Sequence, residues 1–304
     1  MATKAFAKGL QGVLTKYGPE NAHSAFISGD DHRHLILIGG LGDGLLLAPY
    51  VANLESAARN GGWSLVQPTL RSALQGWGVG SLQQDADDLL MLTKYLKAEH
   101  ASEAVILLGH STGCQDAVRY CKVIQKDAED AAPLAGVILQ APVSDREYQA
   151  GKATTADRLK TAEQMIRDGQ GEDILFRDDD PVGTPVCASR FVSLASKHGD
   201  DDMFSSDFTD QELKGILGHM AEIPTMLVLG GEDECMPKSV DGRALGKRMQ
   251  KAIGNGAQLT FIPKGTHSLE GTEEEFVKEL QPFVKQCFGP AAATIKPPYL
   301  YSCT

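Results

Sequence analysis

The stretch AVILLGHSTGCQDAVRYCKVIQK, residues 104–126, decides the fold. It opens as a continuous apolar run closed by Gly109, which predicts a strand buried on both faces. From Cys114 onward apolar residues recur at helical spacing, so a helix is expected over 114–126. Between the two lies Gly109-His110-Ser111-Thr112-Gly113, a G-x-S-x-G pattern. A serine there is either a small residue demanded by a tight turn or a nucleophile held up on a bend. The surrounding chain has to decide.

Reading outward, strands and helices alternate. HLILIGG (34–40), WSLVQPTL (63–70), LAGVILQAP (134–142), PTMLVLGG (224–231) and AQLTFIPKG (257–265) read as strands. Helices are expected over 45–60, 81–100, 238–253 and 272–288, the second with acids early and Lys97 and His100 late, as the helix dipole favours. SAFISGD (24–30) adds an expected antiparallel edge hairpin. Continuous apolar strands separated by helices imply an α/β fold: a mostly parallel sheet covered by helices on both faces. From 146 to 220 the alternation breaks into Asp and Gly clusters around short helical pieces, without strand-like runs. One domain, 1–304, with an inserted helical cap or lid at 146–220, is the expected organisation. The Pro-rich tail GPAAATIKPPYLYSCT (289–304) is expected to be extended.

Composition narrows the function. The 304 residues are 42% hydrophobic and 23% charged, enough for a packed core and against global disorder. A net charge of −11 disfavours nucleic acid or an anionic membrane as the main partner, since both need a basic surface. Six irregularly spaced cysteines include no CxxC pair, so neither a zinc site nor a redox motif is indicated, and reduced thiols in the cytoplasm are expected. The N-terminus lacks the unbroken apolar stretch of a secretory signal, and no run is long enough for a membrane span.

In such a sheet, ligands gather at the carboxyl ends of the strands. A serine hydroxyl there needs a base to take its proton, and the base needs an orienting acid. GGEDECMP (230–237) follows the next-to-last strand and offers Asp233; PKGTHSLEG (263–271) follows the last and offers His267. The order Ser…Asp…His matches an α/β-hydrolase fold. Glu232 and Glu234 flank Asp233, and Asp145 follows the strand at 134–142, so these remain alternatives for the acid. The oxyanion hole needs two backbone N–H groups: Thr112, at the start of a helix, and Leu41 from GGLGDG (39–44), with Gly42 as second choice.

Other motifs fall away. GGLGDG fails the dinucleotide-binding spacing, and no G-K-[ST] follows it. His32 and His34 are expected to be exposed residues entering a strand. The Asp triplets at 178–180 and 200–202 are expected to be solvated loop acids rather than calcium ligands. The cations of the insert, Arg190 among them, are expected mostly on helix surfaces. No metal and no cofactor is expected.

LIGGLGDGLL, LLGHSTGCQD and LGGEDECMP together resemble a fungal α/β-hydrolase family long filed as a domain of unknown function, which includes a siderophore esterase acting on fusarinine-type siderophores. The likeness runs from about residue 34 to about 288. It implies Ser111, Asp233 and His267 as triad. It also implies a substrate: esters joining hydroxyornithine-based units in fusarinine C or its triacetyl form, cleaved inside the cell so that iron is released. A serine esterase is therefore expected, with a small-molecule ester as partner. The rivals are a non-catalytic small-molecule binder of the same fold and a thioesterase or peptidase.

Overall fold

A computed structural model describes residues 9–126, 129–254 and 256–287; the Pro-rich tail lies outside them. In chain order the elements are β1 (Val13–Lys16), β2 (Ser24–Ser28), β3 (Arg33–Ile38), α1 (Val51–Asn60), β4 (Ser64–Thr69), α2 (Leu82–His100), β5 (Ala104–His110), α3 (Gly113–Ile124) and β6 (Leu134–Gln140). Then come α4 (Asp145–Ala150), α5 (Thr155–Arg167), β7 (Ile174–Arg177), β8 (Pro185–Cys187), α6 (Ala188–Ala195) and α7 (Asp210–Leu217). The chain returns to the sheet with β9 (Thr225–Gly230), α8 (Gly242–Ile253), β10 (Ala257–Ile262) and α9 (Glu273–Gln286).

Eight strands form one sheet in the order β1-β2-β4-β3-β5-β6-β9-β10. From β4 to β10 every pairing is parallel, while β1 and β2 add the antiparallel edge. This is the mostly parallel sheet anticipated from the apolar runs, in the α/β-hydrolase fold that the order Ser…Asp…His matches. Along the central strands, successive side chains enter opposite layers. Ile36, Ile38, Val105 and Leu107 join α2, α3 and α8 in one core; Leu35, Leu37, Ile106 and Leu108 join α1 and α9 in the other. Burial on both sides explains why these strands read as unbroken apolar runs. Each fully buried Leu or Ile contributes roughly 1.5–3 kcal/mol.

Several expectations need correction. The helix expected from residue 45 begins only at Val51. Pro49 disfavours helical geometry at the residue before it, and 45–50 remains a loop. The insert contains strands after all: β7 and β8 pair antiparallel, too short to leave a periodic signature. His34 is buried, with Nδ1 2.8 Å from the Ser102 hydroxyl oxygen, whereas His32 is exposed as expected. Asp201 and Asp202 are buried rather than solvated. Asp201 Oδ2 accepts from Arg190 Nη1 at 2.7 Å, and Asp202 Oδ2 from Arg146 Nε at 2.9 Å. Arg190 is thus an interior cation of α6, not a surface charge, and its Nε donates to the Trp77 carbonyl.

Candidate active site

Ser111 sits one residue beyond β5 with φ +54°, a left-handed conformation that costs a non-glycine residue energy. The flanking glycines make the bend possible. A Cβ on Gly109 would lie 2.2 Å from the Gly113 carbonyl oxygen, and one on Gly113 would lie 2.5 Å from that of Ile38. Spacing of the G-x-S-x-G pattern is therefore a packing requirement between the end of β5, the start of α3 and β3. The loop after β3 comes equally close: a Cβ on Gly40 would touch the Ser111 side chain.

The loops after the last two strands complete the group. His267 Nε2 is 2.9 Å from Ser111 Oγ. On the other edge of the ring, Nδ1 is 2.9 Å from Asp233 Oδ1 and 3.1 Å from Oδ2. Asp233 Oδ1 also accepts from the Cys235 backbone N–H at 2.9 Å, which fixes the carboxylate in its loop. The three residues are separated by up to 156 positions in sequence, yet their polar atoms form one row.

The alternative acids do other things. Glu234 Oε2 accepts from the His267 backbone N–H at 2.9 Å and so holds the main chain rather than the ring. Glu232 is exposed. Asp145 lies in the wall of the same cavity, but its Oδ2 accepts from Gln115 Nε2 at 2.6 Å.

Electrostatics follow burial and charge. Burial opposes a charged His267, but the Asp233 carboxylate outweighs it, with Cys235 adding to the effect, and the imidazole pKa is raised. Burial and repulsion from His267 lower the pKa of His110, next to the serine, below its ordinary value. Burial and the nearby Asp201 push the Asp145 carboxyl up to about 7.

The Leu41 and Thr112 backbone N–H groups donate to no protein acceptor among the described residues. Thr112 immediately precedes α3, where the helix dipole favours an anion. Leu41 lines the cavity, while the neighbouring Gly40 N–H is committed to Asp43 Oδ2 at 2.8 Å.

Sequence reasoning missed a supporting network. The Gln140 side chain, at the end of β6, donates through Nε2 to the His267 carbonyl at 3.0 Å. Its Oε1 accepts from the Tyr50 hydroxyl at 3.1 Å and lies 2.5 Å from His110 Nδ1. A glutamine closing an otherwise apolar run was the available signal.

The cavity over Ser111 holds about 740 Å³. Leu41, Leu74, Trp77, Val143 and Val182 supply apolar wall, and the lining carries the carboxylates of Asp43, Asp145, Asp178 and Asp180 with Lys152 as its lysine. Much of this wall comes from the segment between β6 and β9. Among the described residues, no helix is long and apolar enough to cross a membrane.

Comparison with known proteins shows the family and the fold. The chain is 35% identical over 257 residues to UPF0613 protein PB24D3.06c of Schizosaccharomyces pombe, covering 77% of this chain and 80% of that protein. It is 29% identical over 324 aligned residues to fusarinine C esterase sidJ of Aspergillus fumigatus, covering 88% and 92%. Among solved structures, siderophore hydrolase EstB from Aspergillus fumigatus superposes with a TM-score of 0.77 at 26% identity, covering 92% of this chain and 98% of that one. A family model described as "Protein of unknown function (DUF1749)" matches residues 1–287, and the chain belongs to that family.

Proposed function

We propose that this chain is a serine esterase in which His267 takes the proton of Ser111 as the serine oxygen attacks an ester carbonyl. The single observation that carries this reading is the two-sided contact of His267, 2.9 Å to Ser111 Oγ and 2.9 Å to Asp233 Oδ1. Asp233 keeps the proton of neutral His267 on Nδ1, leaving Nε2 free to accept. Amides of Leu41 and Thr112 stabilise the negative charge that develops on the carbonyl oxygen. His267 then protonates the departing alcohol. A water molecule, deprotonated by the same imidazole, attacks the acyl-enzyme and releases the acid. A binder without chemistry would not need this row of groups, so the non-catalytic reading is the weaker one.

The chain is a carboxylic ester hydrolase, and its substrate is a fusarinine-type siderophore, cleaved in the cytoplasm to free iron. Support comes from the names of the relatives, one a fusarinine C esterase and one a siderophore hydrolase. The cavity suits such a ligand. Its carboxylates outnumber its cations, which favours an ester bearing amines, as uncapped hydroxyornithine units do. The segment 146–220 acts as the lid that sets this preference.

Mass spectrometry of fusarinine C and triacetylfusarinine C, each with and without iron, after incubation with the protein tests the reading. Ring-opened and monomeric products are expected, and the S111A variant should form none. Intact siderophores alongside rapid cleavage of simple esters would reject the substrate. Cleavage of amide or thioester substrates in preference to esters would favour the peptidase or thioesterase reading.

A further inference from the structure

The proposed ester hydrolysis routes no proton through one reactive group beside His267, the Cys235 thiol. Cys235 is half-buried and lines the cavity, whereas the other cysteines among the described residues are buried. One ligand atom each from Asp233, Cys235 and His267 lies within 4.8 Å of the other two. No other trio of His, Cys, Asp or Glu among the described residues meets that condition. A thiolate, an imidazole nitrogen and a carboxylate oxygen are the donors that zinc prefers. Tetrahedral zinc sets such ligands roughly 3.3–3.8 Å apart, so small side-chain movements close the site.

We infer that Asp233, Cys235 and His267 form an inhibitory site for a zinc ion. The metal takes the Cys235 thiolate, an Asp233 oxygen and His267 Nδ1, with water in the fourth position. Proton balance explains the inhibition. The thiol proton leaves to solvent, and the Nδ1 proton of neutral His267 is transferred through water to Nε2. An Nε2–H facing Ser111 Oγ can only donate, so the base cannot accept the serine proton. Zinc also occupies the carboxylate that orients the ring. No oxidant or reductant is involved, and the site does not depend on which ester is the substrate.

Two measurements on untagged full-length protein test this. Hydrolysis of p-nitrophenyl acetate is followed during titration with zinc chloride, and zinc binding to S111A is measured by calorimetry. Micromolar zinc is expected to block the wild-type enzyme, with recovery on adding chelator. C235A should raise the half-inhibiting concentration at least about tenfold relative to its own zinc-free rate. The C235S variant, which keeps the size but offers a harder donor, should behave the same way. Calorimetry should find one zinc per S111A chain, and weaker binding by a similar factor in S111A/C235A. Equal inhibition of wild type and both Cys235 variants, or no zinc uptake by S111A, overturns the inference. Should the wild-type enzyme cleave no ester, the serine esterase reading fails, while calorimetry still decides the zinc site.

Discussion

The side-chain amide of Gln140 donates to the main-chain carbonyl of His267 at 3.0 Å, tying the end of β6 to the loop that carries the imidazole. Glu234 holds the same residue by its N–H at 2.9 Å. His267 is thus gripped at both its N–H and its C=O, and its ring has little freedom to leave the line between Ser111 and Asp233. Removing one grip should misplace His267, while Gln140 itself lines no part of the cavity. The Q140L variant is expected to lose about 10- to 100-fold in kcat on a small ester, with KM near wild type. An unchanged kcat in a folded Q140L protein would show that Glu234 alone suffices.

The candidate acids differ in what they touch. Asp233 touches the ring nitrogen, whereas Glu234 touches only main chain. Under the proposed mechanism, D233N costs about 10⁴-fold in kcat because the wrong tautomer of His267 is then favoured. E234Q keeps an acceptor for the His267 N–H and should cost less than about tenfold. Steady-state rates of the two variants settle the assignment, and a reversed order would move the acid role to Glu234.

A pH profile reports the same pair. Burial disfavours the imidazolium, but Asp233 more than compensates, so the pKa of His267 rises above the ordinary value of 6.5. Protonated His267 cannot accept from Ser111. Activity is therefore absent at low pH and grows as pH passes the raised pKa. The rising limb of kcat/KM should lie above 6.5. Replacing Asp233 by Asn removes the main stabilisation of the charged ring and should move that limb to lower pH. A wild-type limb below the ordinary value would contradict the role given to Asp233.

How much of this was legible before folding depends on where each interaction is made. Strands β3, β5, β6 and β9 were readable because burial on both faces forces an unbroken apolar run. Ser111, Asp233 and His267 were readable because the strand ends that carry them are fixed by chain order. Tertiary partners were not. Nothing local marks Asp201 as buried, since its partner Arg190 lies on α6 and its surroundings on α2, α3 and α4. The loop at 45–50 failed for a local reason that was visible, namely Pro49. Cys235 looked like one of six scattered thiols until the last strand's loop was laid beside it.

The buried acids behind α3 make stability fall as pH rises. Burial and neighbouring acids push Asp145 up to about 7 and Asp85 up to about 6, against an unfolded value of 3.8, and raise Asp116 as well. Arg190 is the cation set against them. A carboxyl with a raised folded pKa binds its proton more tightly in the native state. Its stabilising contribution is full below the unfolded pKa and is lost as pH climbs through the folded one. Denaturant unfolding should therefore show stability declining between about pH 4 and pH 7 from these groups. R190M removes the compensating charge while keeping much of the volume, leaving Asp201 buried and unpaired. It should cost about 3–5 kcal/mol at neutral pH, and less in acid where the carboxyls take up protons. A loss in R190M that is the same at pH 5 and pH 8 would show that packing, not charge, is what Arg190 contributes.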